Sequence, residues 1–152
     1  MVYIGADHRG YHLKEELKKL LAEMGVDFQD MGNAVYDPQD DYPDFAKRVA
    51  EAVSKNPARD RGILLCGSAI GVDIVANKHR HVRSGVVAAV EWAQHARARD
   101  YVNILSLPAD YLSETEAKQI TKVWLATEFA GEERDVRRLA KIREIEDSQF
   151  SN

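Results

Sequence analysis

The sequence predicts an α/β protein built on a five-stranded parallel sheet. Three observations predict it. Short apolar runs alternate with longer amphipathic segments along the 152 residues, the rhythm of strands joined by crossover helices. The third and fourth runs, "GILLC" and "SGVVAAV", are apolar almost throughout, as strands covered by helices on both faces are. No internal repeat or low-complexity linker interrupts the chain, so one domain over 1–152 is expected.

The elements follow in order. "VYIGA" (Val2–Ala6) reads as the first strand. Leu13, Leu17, Leu20, Leu21 and Met24 then recur at helical spacing in a Lys/Glu-rich segment that Gly25 stops. "VDFQDMG" is the second strand, and a loop rich in Asp and Pro (Asn33–Pro43) leads into a helix over Phe45–Ser54. "GILLC" (Gly62–Cys66) is the third strand, Ile70–Asn77 a short helix, and "SGVVAAV" (Ser84–Val90) the fourth strand. A helix around Trp92–Arg99 precedes the fifth strand, "VNILSL" (Val102–Leu107). Ser113 and Glu116 form a capping box for a helix over Glu114–Thr127. The last helix, about 132–147, has Val136, Leu139, Ile142 and Ile145 on one stripe and charge elsewhere. Such a helix packs on a partner subunit as much as on its own core.

Composition narrows the function classes. Apolar residues at 45% and charged residues at 30% describe a soluble globular protein. A formal net charge of −4 makes no electrostatic case for nucleic acid or an anionic membrane. A single cysteine forms no internal disulfide, which points to the reducing cytoplasm. The opening "MVYIGADHRG" enters a strand with no basic leader, so no signal peptide is expected.

Ligands of parallel sheets sit at the carboxyl ends of the strands, which selects Ala6–Gly10, Cys66–Gly71 and the segment after Val90. In "GADHRG", Asp7 and His8 precede a helix and suit a polyol or a phosphate; Asp7 equally serves as a helix cap. In "CGSAIG", Gly67 and Gly71 bracket a turn whose amides would point outward at a helix start, an anion-binding arrangement. The same field should lower the pKa of the Cys66 thiol, and Ser68 adds a hydroxyl. Neither a Walker loop nor a dinucleotide fingerprint is present. A lone cysteine at a strand end also serves as a small buried hydrophobe, so residue types alone leave Cys66 with two readings. The five histidines fall in no zinc-like pattern, so no metal is expected; His79 and His81, flanking Arg80 in a turn, should be solvated. Arg134 and Arg138, four apart, share a helix face fit for one phosphate, or pair with Glu132 and Glu133 on a solvated face.

The order "GADHRG", "DDYPDFA", "GILLCGSAIGVDIVANK", "VNIL" and a late arginine pair resembles, over essentially the whole chain, ribose-5-phosphate isomerases of the B type and the related galactose-6-phosphate isomerase subunits. The resemblance implies a Rossmann-like three-layer sandwich and a cytoplasmic homodimer, or dimer of dimers, with its active site at the subunit interface. It also implies cofactor-free aldose–ketose isomerisation of a sugar phosphate, with ribose 5-phosphate and ribulose 5-phosphate as the default pair. By position, Cys66 would be the base that moves a proton between C1 and C2 through a cis-enediolate. Ser68 and the amides of Gly67 to Gly71 would stabilise that oxygen. Asp7 would handle sugar hydroxyls, His8 the phosphate, and Tyr42 and Asn103 would complete the sugar site. Arg134 and Arg138 would clamp the phosphate from the neighbouring subunit. Proton transfer beside a carbonyl needs one base matched to the working pH and donors for the developing charge, which a thiolate among amides supplies.

The chain departs from the family pattern at five places. The ring-opening His-Asn pair falls at Arg99 and Asp100, with His95 one helical turn upstream. A phosphate-binding arginine is Asp110, the histidine after the first late arginine is Asp135, and a third loop glycine is Ala69. Arginine is a poor proton-transfer group, and an aspartate beside a phosphate reverses an attraction. Three readings stay open: a ribose-phosphate isomerase, an isomerase of another (hexose or non-phosphorylated) sugar, and a catalytically altered sugar-phosphate-binding paralogue.

Overall fold

The computed structural model describes residues 1–151. In chain order it contains β1 (Val2–Ala6), α1 (Tyr11–Glu23), β2 (Phe28–Asp30), α2 (Tyr42–Lys55), β3 (Arg61–Cys66), α3 (Ile70–Ala76), β4 (Ser84–Val86), α4 (Val90–Ala98), β5 (Ile104–Pro108), α5 (Glu114–Ala126) and α6 (Glu133–Phe150). The five strands form one sheet in the order β2-β1-β3-β5-β4, every pairing parallel. The expected α/β sandwich is therefore present. No helix is long and apolar enough to cross a membrane among the described residues.

Alternation along β3 sorts the core into two layers, because successive side chains of a strand face opposite ways. Ile63 and Leu65 join Leu17, Leu21, Ile120 and Trp124 beneath α1 and α5. Leu64 and Cys66 join Ala46, Val49, Val53 and Val72 beneath α2 and α3. The thiol thus emerges on the α2/α3 side. Ser113 accepts from the Glu116 amide at 3.2 Å while the Glu116 carboxylate accepts from the Ser113 amide at 2.8 Å, the reciprocal cap expected for α5.

Several boundaries differ from the sequence reading. β4 ends at Val86, not Val90, and is an edge strand paired only with β5. Its apolar run reflects the turn into α4, and the strand is not covered on both faces: Gly85 and Val86 open onto a cavity of about 720 Å³ beside Trp92. α2 begins at Tyr42, three residues before the expected Phe45, because Pro43 in its first turn is already set for the helix. His79 and His81 are not simply solvated. His79 Nδ1 lies 3.0 Å from the Val75 carbonyl, and His81 Nδ1 lies 3.1 Å from Glu146.

α6 rests lightly on the body. Asp135 is its one buried residue, while Val136, Ile142 and Ile145 stay at least half exposed. An Arg80–Asp147 ion pair at 2.6 Å helps tie its far end down. A cavity of about 570 Å³ lies between α6 and the body, lined in part by Val82, Tyr101, Phe129 and Leu139.

One buried charge organises the β2 edge. Lys14, on the core side of α1, is fully buried. Its ammonium reaches Asp30 at 2.5 Å and Glu15 at 2.9 Å and donates to the Asn33 carbonyl at 3.1 Å; Lys18 also meets Asp30, at 2.7 Å. Burial works to raise the Asp30 pKa, but Lys14, Lys18 and the Gly32 amide outweigh it and hold it below the ordinary value. Removing one partner of a buried pair leaves an uncompensated charge, so Lys14→Ala should cost about 3 kcal/mol in urea unfolding at neutral pH. A depressed carboxylate stabilises fully above its unfolded pKa of about 4 and loses that contribution as pH falls towards its folded value. Wild-type stability should therefore decline below about pH 4 more steeply than that of Asp30→Asn.

Candidate active site

Three adjacent strands deliver the site. The order β1-β3-β5 brings together Asp7, just past β1, Cys66, the last residue of β3, and Asp110, two residues past β5. Backbone hydrogen bonds continue the ladder beyond the strand ends. The Asp7 amide donates to Leu65 at 3.3 Å, the Ala109 amide to Cys66 at 2.9 Å, and the Asp110 amide to Gly67 at 3.0 Å. Tyr42 from α2, Ser68 and Gly71 complete, with Ile70 and Ile74, a cleft of about 540 Å³. It lies where the chain order reverses around β1 and β3, the place a parallel sheet reserves for ligands.

Cys66 is 5% exposed. Burial pushes its pKa up, and the Asp7 carboxylate adds to that; the amides of Val72, Ala69 and Ser68 pull the other way without prevailing. The expected lowering of the thiol pKa is thus reversed. The amides do turn inward, but the sulfur sits in an apolar layer whose desolvation disfavours the charged form more strongly. The same amides leave the sulfur with donors ready for it as a thiolate.

The loop geometry follows from small residues at close contacts. A Cβ on Gly71 would lie 2.6 Å from the Tyr42 ring, and one on Gly67 would lie 2.6 Å from both Arg9 Nε and Asp110 Oδ2. Ala69 has φ 62°, a left-handed conformation that costs a residue with a Cβ about 1 kcal/mol or more. The chain accepts that strain where its amide faces the sulfur. Ser68 Oγ accepts from the Ile70 amide at 3.3 Å.

Asp7 combines both of its sequence readings. Its Oδ1 accepts from the amides of Arg9 at 3.0 Å and Gly10 at 3.1 Å, closing the turn into α1, and the residue also lines the cleft. Burial raises its pKa, although the Gly10 amide and His8 oppose this.

Other expected site residues lie elsewhere. His8 does not line the cleft. Its backbone amide and Nδ1 both meet Asp40 Oδ1, at 2.9 and 2.7 Å, and that hydrogen bond raises its pKa. The pair pins the long loop before α2, a role for Asp40 that its place in "DDYP" did not disclose. Asn103 does not line the cleft either: fully buried, it donates to the His81 carbonyl at 2.8 Å and accepts from the Arg83 amide at 2.8 Å. Both ends of its side chain are spent on the turn before β4.

Arg99 caps α4 and pairs with Asp135 at 2.8 Å and Glu132 at 2.7 Å. Asp100, exposed, lies 3.6 Å from His95. Arg134 and Arg138 gather around the same Asp135 at 3.9 and 3.7 Å and remain more than half exposed. None of these lines the cleft of its own chain. Two of the unexpected residues, Arg99 and Asp135, thus neutralise each other. Another of them, Asp110, does line the cleft, paired with Arg9. Arg9 went unnoticed because its partner is 101 residues away.

Known proteins share this architecture. A solved structure of ribose-5-phosphate isomerase B from Mycoplasma genitalium, with ribulose-5-phosphate bound, superposes with a TM-score of 0.93 at 36% identity, covering 96% of this chain and 95% of that one. Ribose-5-phosphate isomerase B of Escherichia coli is 35% identical over 86% of each chain. The D-erythrulose-4-phosphate isomerase of Pectobacterium atrosepticum is 36% identical over 86% of this chain and 85% of its own. Residues 2–142 match the Ribose/Galactose Isomerase family as a whole. With the strand-end thiol and its glycine loop in place, the chain belongs to the ribose/galactose isomerase family.

Proposed function

We propose that this protein is a cofactor-independent isomerase that interconverts an aldose phosphate and its ketose, with ribose 5-phosphate and ribulose 5-phosphate as the default pair. The observation that carries the reading is a thiol set among three amides on the floor of a cleft formed by β1, β3 and β5. Family membership and the relatives' activities support the same chemistry.

The steps balance without an outside reagent. The Cys66 thiolate takes the C2 proton of the open-chain aldose, and the electron pair moves through C1 onto O1 to form a cis-enediolate. Ser68 and the loop amides donate to the developing charge. A proton shifts between the two enediolate oxygens, and the Cys66 thiol returns its proton to C1 to give the ketose. Burial suits this task, because a thiol of raised pKa is the stronger base once ionised. Asp7 orients sugar hydroxyls, Tyr42 lines the sugar site, and Gly67 and Gly71 admit the substrate close to the backbone.

The arginines act from a second copy of the chain. Arg134 and Arg138 stand exposed on α6, and the apolar stripe of that helix is half bare, as expected of a homodimer whose subunits complete each other's sites. A base that works as a free thiol has to stay reduced, which supports a reducing, cytoplasmic setting.

The Arg99 ion pairs favour a second reading of the substrate. Arginine held by Asp135 and Glu132 does not move the proton that opening a furanose ring requires. A four-carbon sugar phosphorylated on its terminal oxygen cannot close that ring and needs no such group. One relative is named for such a substrate.

Proton exchange at C1 and C2, followed by NMR over tetrose, pentose and hexose phosphates and free sugars, tests chemistry and substrate together. Exchange and conversion of at least one sugar phosphate is expected; exchange with none would defeat the reading. Cys66→Ala should cut kcat about a thousandfold while its thermal melt stays close to wild type; a fully active variant would remove the thiol from the mechanism. Subunit sharing has its own check. Mixing Cys66→Ala with Arg138→Ala under subunit exchange should restore activity at low substrate, since one site of each mixed dimer carries neither substitution. No recovery would place each site within one chain.

A further inference from the structure

The Cys66 cleft has one cationic side chain among the described residues, Arg9, and one carboxylate directly paired with it, Asp110. The Arg9 guanidinium spends its Nε and Nη2 edge on that carboxylate: Nε lies 2.9 Å from Oδ2 and 3.3 Å from Oδ1, and Nη2 also donates to Oδ2. A guanidinium has five N–H donors in a fixed fork, so the Nη1 edge and one Nη2 hydrogen remain free. Arg9 is 57% exposed and lines the cleft.

The pair is anchored at both ends. The Arg9 amide donates to Asp7 Oδ1 at 3.0 Å, and the Asp110 amide donates to the Gly67 carbonyl at 3.0 Å. It also lies directly over Gly67, where even a methyl group would collide with both side chains. A flexible arginine, which pays entropy to bind an anion, is here already oriented beside the residue that follows the thiol.

Resting on the isomerase reading above, we propose that Arg9 is the intrasubunit contact for the substrate's phosphate and that Asp110 is the positioning residue that aims it. The chemistry follows from the fork. A planar guanidinium held along one edge offers its other donors to a phosphate oxygen, and such charge-assisted hydrogen bonds are strong and directional. Asp7 and Asp110 otherwise give the cleft only negative charge, which repels a phosphate. Arg9 therefore sets the preference for phosphorylated over free sugars, and it does so in the ground state and the transition state alike.

The test compares wild type, Arg9→Ala, Arg9→Asp and the exchanged double variant Arg9→Asp/Asp110→Arg. Calorimetric titration with inorganic phosphate reads the contact without turnover. Kinetics with the phosphorylated sugar turned over in the exchange panel reads it in catalysis. Arg9→Ala should weaken phosphate binding and raise KM by about tenfold or more, with kcat within about threefold, as the loss of one charged hydrogen-bonding group predicts. Arg9→Asp should lose more, and the double variant, which rebuilds the pair over Gly67 with its charges exchanged, should recover most of that loss. Unchanged phosphate affinity in Arg9→Ala would overturn the proposal. So would a loss in kcat alone, or a double variant that folds but binds phosphate no better than Arg9→Asp. If wild type turned over no sugar phosphate, the isomerase reading would fall while calorimetry still decided the role of Arg9.

Discussion

The site depends on a parallel ladder carried one or two residues past the ends of β1, β3 and β5. The bonds Asp7–Leu65, Ala109–Cys66 and Asp110–Gly67 fix three strand ends side by side, so that a carboxylate, a thiol and an ion pair share one cleft. No side chain of the site builds this arrangement. It is inherited from register, which in turn is set by the two apolar layers that β3 serves with alternate residues. Only then do the glycines matter: Gly71 lets Tyr42 lie on the loop, and Gly67 lets Arg9 and Asp110 meet over it.

Within that frame two electrostatic demands oppose each other at Cys66. Burying the sulfur raises its pKa, and the amides of Val72, Ala69 and Ser68 that close around it lower the cost of ionisation without cancelling the burial. A base that is seldom ionised but strong when it is suits a proton bound to carbon. The unexpected charges are paired across sequence distance, Arg9 with Asp110 at the cleft and Arg99 with Asp135 away from it. Substitutions that look hostile to a phosphate one at a time are matched in space.

The sheet and the loop were legible because they are written in local pattern. Apolar periodicity located all five strands, the Ser113–Glu116 spacing marked α5, and "CGSAIG" marked the cleft. What escaped was decided by tertiary contacts. β4 is short because it has a neighbour on one side only. Asn103 is spent on the His81–Arg83 turn, and His8 on Asp40; neither partner is adjacent in sequence. The direction of the thiol's pKa depends on how much apolar surface covers the sulfur, and a loop motif carries no record of that. Arg9 was invisible for a similar reason, since an exposed arginine acquires meaning only once Asp110 is seen beside it.

The most direct measurement of the central claim is the rate of alkylation of the single cysteine by iodoacetamide as a function of pH, read by intact mass with and without sugar phosphate. The account predicts a titration above the ordinary thiol range of about 8.5 and protection by a turned-over sugar phosphate that the matching free sugar does not give. Alkylation that titrates below that range, or that proceeds equally fast with the cleft saturated, would contradict a buried thiol acting on bound substrate.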